Sequence, residues 1–503
     1  MKQDSGIELF QLIRSLSKSE KRLVNLRLKN SHLSSKSQLH KLFIYLSGIK
    51  EYHYTKLERN YTNSTFLKHY ASAKFKLTEI ILQELVESQS GKLAADKNEQ
   101  YLRHIKFLMG KNLFQSAWKL IKRIKKHATQ QQDFDILSRA LFFEKLIYPY
   151  LFRNAPAAYI SKISKLESMA IKSHRVNQET FALLHLLITQ GLEQFRIPDE
   201  YILQGYKNQF EILGSRCEGE YIPEQAHFYM IAISALLKQF EAHHDEAATL
   251  FSKAFEYVRK HPSAIFNLSI LFIRLHYFSI MNNLLHNDID KAKDWLKQMK
   301  SIQCKSKLSH VVYHEMFLLS NAYIYLYDNA FEKLNSINSQ LSTENRNNYS
   351  LYFNRHYCFI MMLRYLKLRR YGVGLFWLNE LKQSKKSDFA KDIIKLLRIF
   401  ELIFHFELNN LGTINYLLRS TQRYLAKTKS IYPYEIILHR FATDIIRTLG
   451  KKQFYYHIDI VNQSMVQLMK ENPNQPFGIE HILLWINQSL QNVPSGFKKL
   501  SDA

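Results

Sequence analysis

An apolar stripe at helical spacing returns about every 42 residues along most of this 503-residue chain. Between Asp245 and Val258 the stripe is Ala247, Leu250, Phe251, Ala254, Phe255 and Val258, one face of an amphipathic helix. Ala117, Leu120, Ile121, Ile124 and Ala128 repeat it, as do Ile289, Ala292, Leu296 and Met299, and Leu411, Ile414, Leu418, Thr421 and Leu425. Anchors at Ala117, Ala158, Tyr201, Ala247, Ala292, Ala330, Gly374, Thr413 and Tyr456 are separated by 38 to 46 residues. A second, more apolar helix is predicted in the intervals: Phe181–Phe195, Ala226–Phe240, Phe266–Leu285, Val311–Tyr327, Tyr352–Leu368 and Ile393–Phe406. Each unit therefore reads as a helical hairpin with an apolar face that only its neighbours can cover, so the units stack.

The expected fold is all-α: an α-solenoid of about nine hairpins over residues 95–493, with period near 42. Residues 1–91 lack an anchor of that period and read as a helical N-terminal cap domain, and 494–503 as a frayed tail. Only 14 glycines and 9 prolines occur, far below the roughly 7% and 5% of average usage, so β-turn-rich folds lack their turn residues. Proline in Pro198-Asp199-Glu200, Pro223-Glu224-Gln225 and Pro262-Ser263 suits a first helical turn. Asp245, Asp288, Asn329 and Asn410 suit caps or first turns. In the N-terminal part, helices are expected at Ile7–Ser15, from the capping box Ser17-Lys18-Ser19-Glu20 to about Lys29, and at Leu39–Leu46, Tyr54–Asn60 and Thr65–Glu87, with Gly91 as a C-cap.

Leu9-Phe10, Leu12-Ile13 and Ser15-Leu16-Ser17-Lys18-Ser19-Glu20-Lys21-Arg22 resemble the opening of a group of uncharacterised bacterial tetratricopeptide-like helical-repeat proteins. There, as around Ala73–Leu85 here, a long helix precedes a repeat array. The resemblance covers about the first 90 residues and implies a helical-repeat fold; it carries no catalytic or binding residue across. Leu23-Val24-Asn25 departs from the aromatic pattern of that group.

Catalytic and cofactor signatures are missing. No G-x-G-x-x-G, Walker loop or G-x-S-x-G elbow occurs, so the chain is expected to be non-enzymatic and without cofactor. His310 and His314 with Glu315 stand four apart on a helix but lack the H-E-x-x-H order and a third ligand. Arg27 and His32 have an R-x4-H spacing seen in helical ribonucleases, but the helix is expected to end before His32. His243-His244-Asp245 reads as a helix entry with solvated imidazoles. Cys217, Cys304 and Cys358 are scattered, in keeping with a reducing compartment. The polar N-terminus and the lack of a ~20-residue apolar run point to a cytoplasmic protein without a membrane span.

Formal net charge is +26, and it is unevenly placed. Residues 351–400 hold 11 Lys+Arg against 3 Asp+Glu, whereas 201–250 hold 3 against 7. Candidate polyanion-binding positions are Arg364, Lys367, Arg369 and Arg370, then Lys382, Lys385 and Lys386, then Lys391, Lys395 and Arg398. Lys119, Lys122, Arg123 and Lys126 form the back face of another helix. Lys, Asn, Ile, Tyr and Phe also share A/T-rich codons, a second source of the charge. The leading expectation is a scaffold presenting a solenoid surface to a peptide or protein. The alternatives are a protein binding RNA, a ribosome or DNA through basic segments, and a helix-turn-helix regulator using Tyr54–Asn60 and Thr65–Glu87.

Overall fold

The computed structural model describes residues 7–29, 34–49, 51–52, 70–89, 94–152, 157–194, 199–217, 221–265, 269–304, 306–341, 349–383, 391–427, 433–448, 451–472, 475 and 477–491. Among these residues there are 22 α-helices and no strand. No helix among them is long and apolar enough to cross a membrane. The chain divides into two compact units, 1–167 and 168–503.

The first unit holds two separate cores. In the first, α1 (Ile7–Ser15), α2 (Lys18–Lys29), α3 (Ser34–Gly48) and α4 (Tyr70–Gln89) bury Ile13, Val24, Leu42, Leu77 and Ile81 together. The capping box forms as expected: the Glu20 amide donates to Ser17 Oγ at 3.3 Å, and the Ser17 amide to Glu20 Oε2 at 2.7 Å. The second core joins α5 (Ala94–Gly110), α6 (Phe114–Gln131) and α7 (Phe134–Leu151) around Ile105, Ala117, Ile121, Ile124 and Ala140. Tyr54–Asn60, His32 and Gly91 lie outside the described residues, as do 494–503.

α8 (Ala157–Gln194) corrects the expected register. Its 38 residues form one continuous helix where a hairpin was expected to turn before Phe181. Between 157 and 181 neither glycine nor proline interrupts the run, so nothing stops helix propagation. Ala158 is exposed at its start, and Tyr201, at the start of α9 (Glu200–Cys217), is 90% exposed. Neither anchors a core.

From residue 224 the hairpins become regular. First helices α10 (Glu224–Phe240), α12 (Ser269–Leu285), α14 (Lys307–Tyr327), α16 (Leu351–Lys367) and α18 (Lys391–Glu407) alternate with second helices. The second helices are α11 (His244–Lys260), α13 (Ile289–Met299), α15 (Phe331–Gln340), α17 (Tyr371–Lys382) and α19 (Leu411–Lys427). α12 packs on α14 and α14 on α16, and each second helix packs on its own first helix. The first helices are buried almost all round: α16 encloses Phe353 and every residue from His356 to Arg364. A helix apolar on every side is what an inner row requires. The remaining helices are α20 (Pro433–Thr448), α21 (Lys451–Glu471) and α22 (Ile479–Gln491).

One turn joins the two helices of each of these hairpins. Ala242, Asn287, Asn329, Arg369 and Asn409 all have φ between 55° and 66°, and Asn112 in the first unit has φ 58°. The next residue's amide reaches back five positions: Asp288 to the Asn283 carbonyl at 2.8 Å, Arg370 to Tyr365 at 2.9 Å, Asn410 to His405 at 3.0 Å. This is the Schellman closure, in which a left-handed residue lets the backbone satisfy a free helix carbonyl. The buried stripe starts five residues after each turn, at Ala117, Ala247, Ala292, Leu334, Gly374 and Ile414. Ala330 and Thr413 are thus out of register: Ala330 is the N-cap residue of α15 and Thr413 is exposed.

Candidate functional site

The inner row of the second unit is occupied by two stretches of its own chain. The first is the end of α8. A Cβ on Gly191 would come within 2.8 Å of the Phe240 and Phe278 rings, so only glycine lets α8 approach α10 and α12 this closely. One residue on, the Leu192 carbonyl accepts a hydrogen bond from His356 Nε2 of α16 at 2.8 Å. Because Nε2 must carry the proton for that bond, Nδ1 is the acceptor for the Tyr323 hydroxyl at 2.6 Å. Burial pulls the His356 pKa down to about 4 despite the Leu192 bond, and the Arg355 charge lowers it further. Nearby, Tyr352 donates to the Tyr277 hydroxyl at 3.1 Å, and burial pushes both phenols up.

The second stretch runs from residue 475 into α22. Phe477 is buried against the Tyr323 ring at 5.7 Å and the Phe359 ring at 5.8 Å. Gly478 follows with φ +106°, and a Cβ there would meet Phe359 at 2.8 Å and Leu396 at 3.1 Å. Glu480 accepts from the Tyr327 hydroxyl at 3.0 Å and from the Gly478 amide at 3.0 Å. His481 is buried 5.8 Å from the Tyr327 ring, with its pKa held down to about 4. Trp485 donates its indole N–H to Glu407 Oε1 at 2.6 Å. Aromatic insertions and two carboxylate contacts therefore seat α22 on α14, α16 and α18. This is how a groove holds an amphipathic helix.

The ten basic positions do not gather into one face. Arg364 is buried, with Nη2 donating to Asn335 Oδ1 at 2.6 Å and its guanidinium 5.0 Å from the Tyr365 ring. This candidate polyanion-binding position is therefore enclosed, because α16 is covered on almost every side. Lys367 folds onto the preceding hairpin's turn, donating to the Leu326 carbonyl at 2.9 Å and Asn329 Oδ1 at 3.2 Å, and burial lowers its pKa. Arg369 and Arg370 are exposed at the α16–α17 turn. Lys382 pairs with Glu401 at 2.8 Å, and Arg398 is half-buried. Lys385 and Lys386 lie outside the described residues; Lys391 and Lys395 belong to α18, and their side chains are outside the description.

The histidine motifs are likewise placed. His314 Nε2 lies 3.1 Å from the Tyr349 hydroxyl, while Glu315 is buried and accepts from the Ser350 amide and hydroxyl at 2.6 and 2.8 Å. Glu315 thus anchors the start of α16 rather than facing His310, which is exposed. His244 is not solvated: it is buried with Nδ1 2.9 Å from Asn282 Oδ1, and Asn282 donates back to the His244 carbonyl. Arg27 lies 3.7 Å from Glu84. No group of three metal-ligating side chains occurs among the described residues.

A last hairpin pairing Phe454–Met469 with Ile479–Ile486 is legible in the sequence, and helices stand there, but the sequence reading missed the docking of this segment on α14, α16 and α18. Its signal was Pro476-Phe477-Gly478, a turn triplet between apolar helices in a glycine-poor chain. Compared with known protein families, curated proteins and solved structures, the chain matches none.

Proposed function

We propose that the protein is a non-enzymatic interaction scaffold, a tetratricopeptide-like α-solenoid whose inner row of helices receives an amphipathic helix. The observation that carries this reading is the seating of α22 by Phe477, Glu480, His481 and Trp485 on α14, α16 and α18. A partner helix with an aromatic anchor and an acidic residue three positions on would use the same contacts in exchange for α22. The recurring left-handed turn, at intervals of 40 to 45 residues from Ala242 to Asn409, supports the solenoid reading.

The test uses a labelled peptide of residues 475–491 and the full chain. A variant carrying Phe477→Ala and Trp485→Ala has a loosened α22 and should bind the peptide, whereas the unaltered chain should bind it at least about tenfold more weakly. Absence of binding to a variant that keeps its helical circular dichroism would refute the reading.

A further inference from the structure

α19, like α6, holds basic residues and no carboxylate side chain. Between Glu407 and Glu435 there is no carboxylate side chain at all, while Arg419, Arg423, Lys427 and Lys429 fall in that interval. Ile414, Leu418 and Thr421 of α19 are buried. The opposite side, Gly412, Asn415, Tyr416, Arg419, Ser420 and Arg423, lines a surface depression of about 510 Å³. Tyr416 is 72% exposed. Among the described residues neither Arg419 nor Arg423 forms an ion pair or hydrogen bond, whereas Lys382, on α17, is paired with Glu401 of α18.

We propose that this face of α19 binds single-stranded nucleic acid, two phosphates on Arg419 and Arg423 and one base on Tyr416. The two arginines stand four residues apart on the helix, about 6 Å along its axis, and each guanidinium offers a planar fork that matches a phosphate. Tyr416 lies one turn before Arg419 and two before Arg423 on the same side and exposes a ring on which any base can stack. Gly412 and Ser420 add no bulk beside it, and Asn415 supplies donor and acceptor atoms within the depression. A membrane surface fits less well, because among the described residues that line the depression only Tyr416 offers an apolar surface to a lipid boundary. The site is separate from the groove that holds α22, so either reading stands or falls alone.

The experiment is fluorescence anisotropy of a labelled mixed-sequence RNA of about 20 nucleotides, titrated with the full chain across a salt series. The unaltered chain should bind with an affinity that falls as salt rises. Arg419→Ala with Arg423→Ala should flatten the log–log slope by about 1.4, the loss of two phosphate contacts on a single strand. Tyr416→Ala should weaken binding by about 5-fold or more with the slope unchanged, which separates stacking from charge. A comparison variant with Lys119→Ala, Lys122→Ala and Lys126→Ala on α6 should bind as the unaltered chain does. Circular dichroism of all variants should coincide, since every altered side chain is exposed. No binding near 0.15 M salt, an equal loss in the α6 variant, or no effect of Tyr416→Ala would overturn the proposal. So would equal binding to phosphatidylserine vesicles that RNA fails to displace, which would assign the face to a membrane surface.

Discussion

His356 of α16 and Leu192 of α8 are joined by a 2.8 Å hydrogen bond across 164 positions of sequence. The bond closes a relay with Tyr323, so one imidazole ties α8 to the already packed pair α14 and α16. A buried ring in this role must be neutral, and that sets a pH limit on the unit.

His276, His356 and His481 all have pKa values drawn down to about 4 by burial, against about 6.5 in an unfolded chain. Above pH 6.5 both states are neutral and the full stability is present. As pH falls from 6.5 toward 4 the unfolded chain takes up protons that the folded chain refuses, so stability is lost through that window. The loss is on the order of 3 kcal/mol per histidine by pH 4. Thermal melts between pH 7.5 and 4.5 should show the melting temperature falling below pH 6.5. His481 Nε2 is buried and has no hydrogen-bond partner among the described residues, so His481→Leu should be near neutral at pH 7 and reduce the acid sensitivity. An unchanged pH profile in that variant would argue against the assignment.

Gly374 and Gly372 of α17 make opposite predictions two residues apart. A Cβ at Gly374 would stand 2.6 and 2.8 Å from the Phe404 ring, which is fully buried. Gly374→Ala should cost about 1–3 kcal/mol through forced repacking. Nothing lies within 4 Å of a Cβ at Gly372, so Gly372→Ala should stabilise by about 0.5–1 kcal/mol through the helix entropy term. Urea denaturation of the two variants checks the sign; equal shifts would mean the Phe404 contact is absent in solution.

The left-handed turns offer a third test. Ala242 adopts φ 63° where glycine meets no steric cost. Ala242→Gly should therefore be neutral to stabilising, by up to about 1 kcal/mol, although the same change inside a helix destabilises by a similar amount. Melting curves compared with a variant carrying Ala248→Gly, at a half-buried position inside α11, would reveal that reversal. Destabilisation of both would contradict the turn geometry.

How much of this was legible in the sequence varied with the kind of residue. Ala117, Ala247 and Ala292 were correct anchors because a small buried residue followed by apolar positions at helical spacing is a local pattern. Ala330 and Thr413 failed because the register is set by the residue that turns left-handed, and Asn, Ala and Arg fill that place in the absence of glycine. Asn at four of the six turns was a readable sign in retrospect, since its side chain tolerates that conformation. Arg364 misled in another way: an arginine on α16 reads as surface until the helix is seen to be covered almost all round. The docking of Phe477 on Tyr323 and Phe359 had no local signature, because what it depends on lies more than a hundred residues earlier.

That docking should be measurable. Phe477→Ala removes a ring wedged between α14 and α16 and should cost about 3–5 kcal/mol locally. Hydrogen exchange of α22 should accelerate well before that of α12 or α14, because the cost falls on one terminal segment. Trp485→Phe should do the same more weakly, by about 1.5–3 kcal/mol, through the lost hydrogen bond to the Glu407 carboxylate. Uniform acceleration throughout residues 224–491 would instead mean that α22 unfolds only with the whole unit.

Tyr327 meets Glu480 across 153 positions, and that span is also a delay. At about 5–20 residues per second of synthesis, roughly 8 to 30 s separate the two residues' emergence from the ribosome. For most of that interval the ring of Tyr323, joined 32 residues after Tyr327 by that of Phe359, waits for the Phe477 cover that does not yet exist. The growing chain therefore carries an aromatic surface that is transient by construction. Its exposure is timed by translation speed, so slowing elongation between α14 and α22 lengthens the period in which nascent chains can stick to one another.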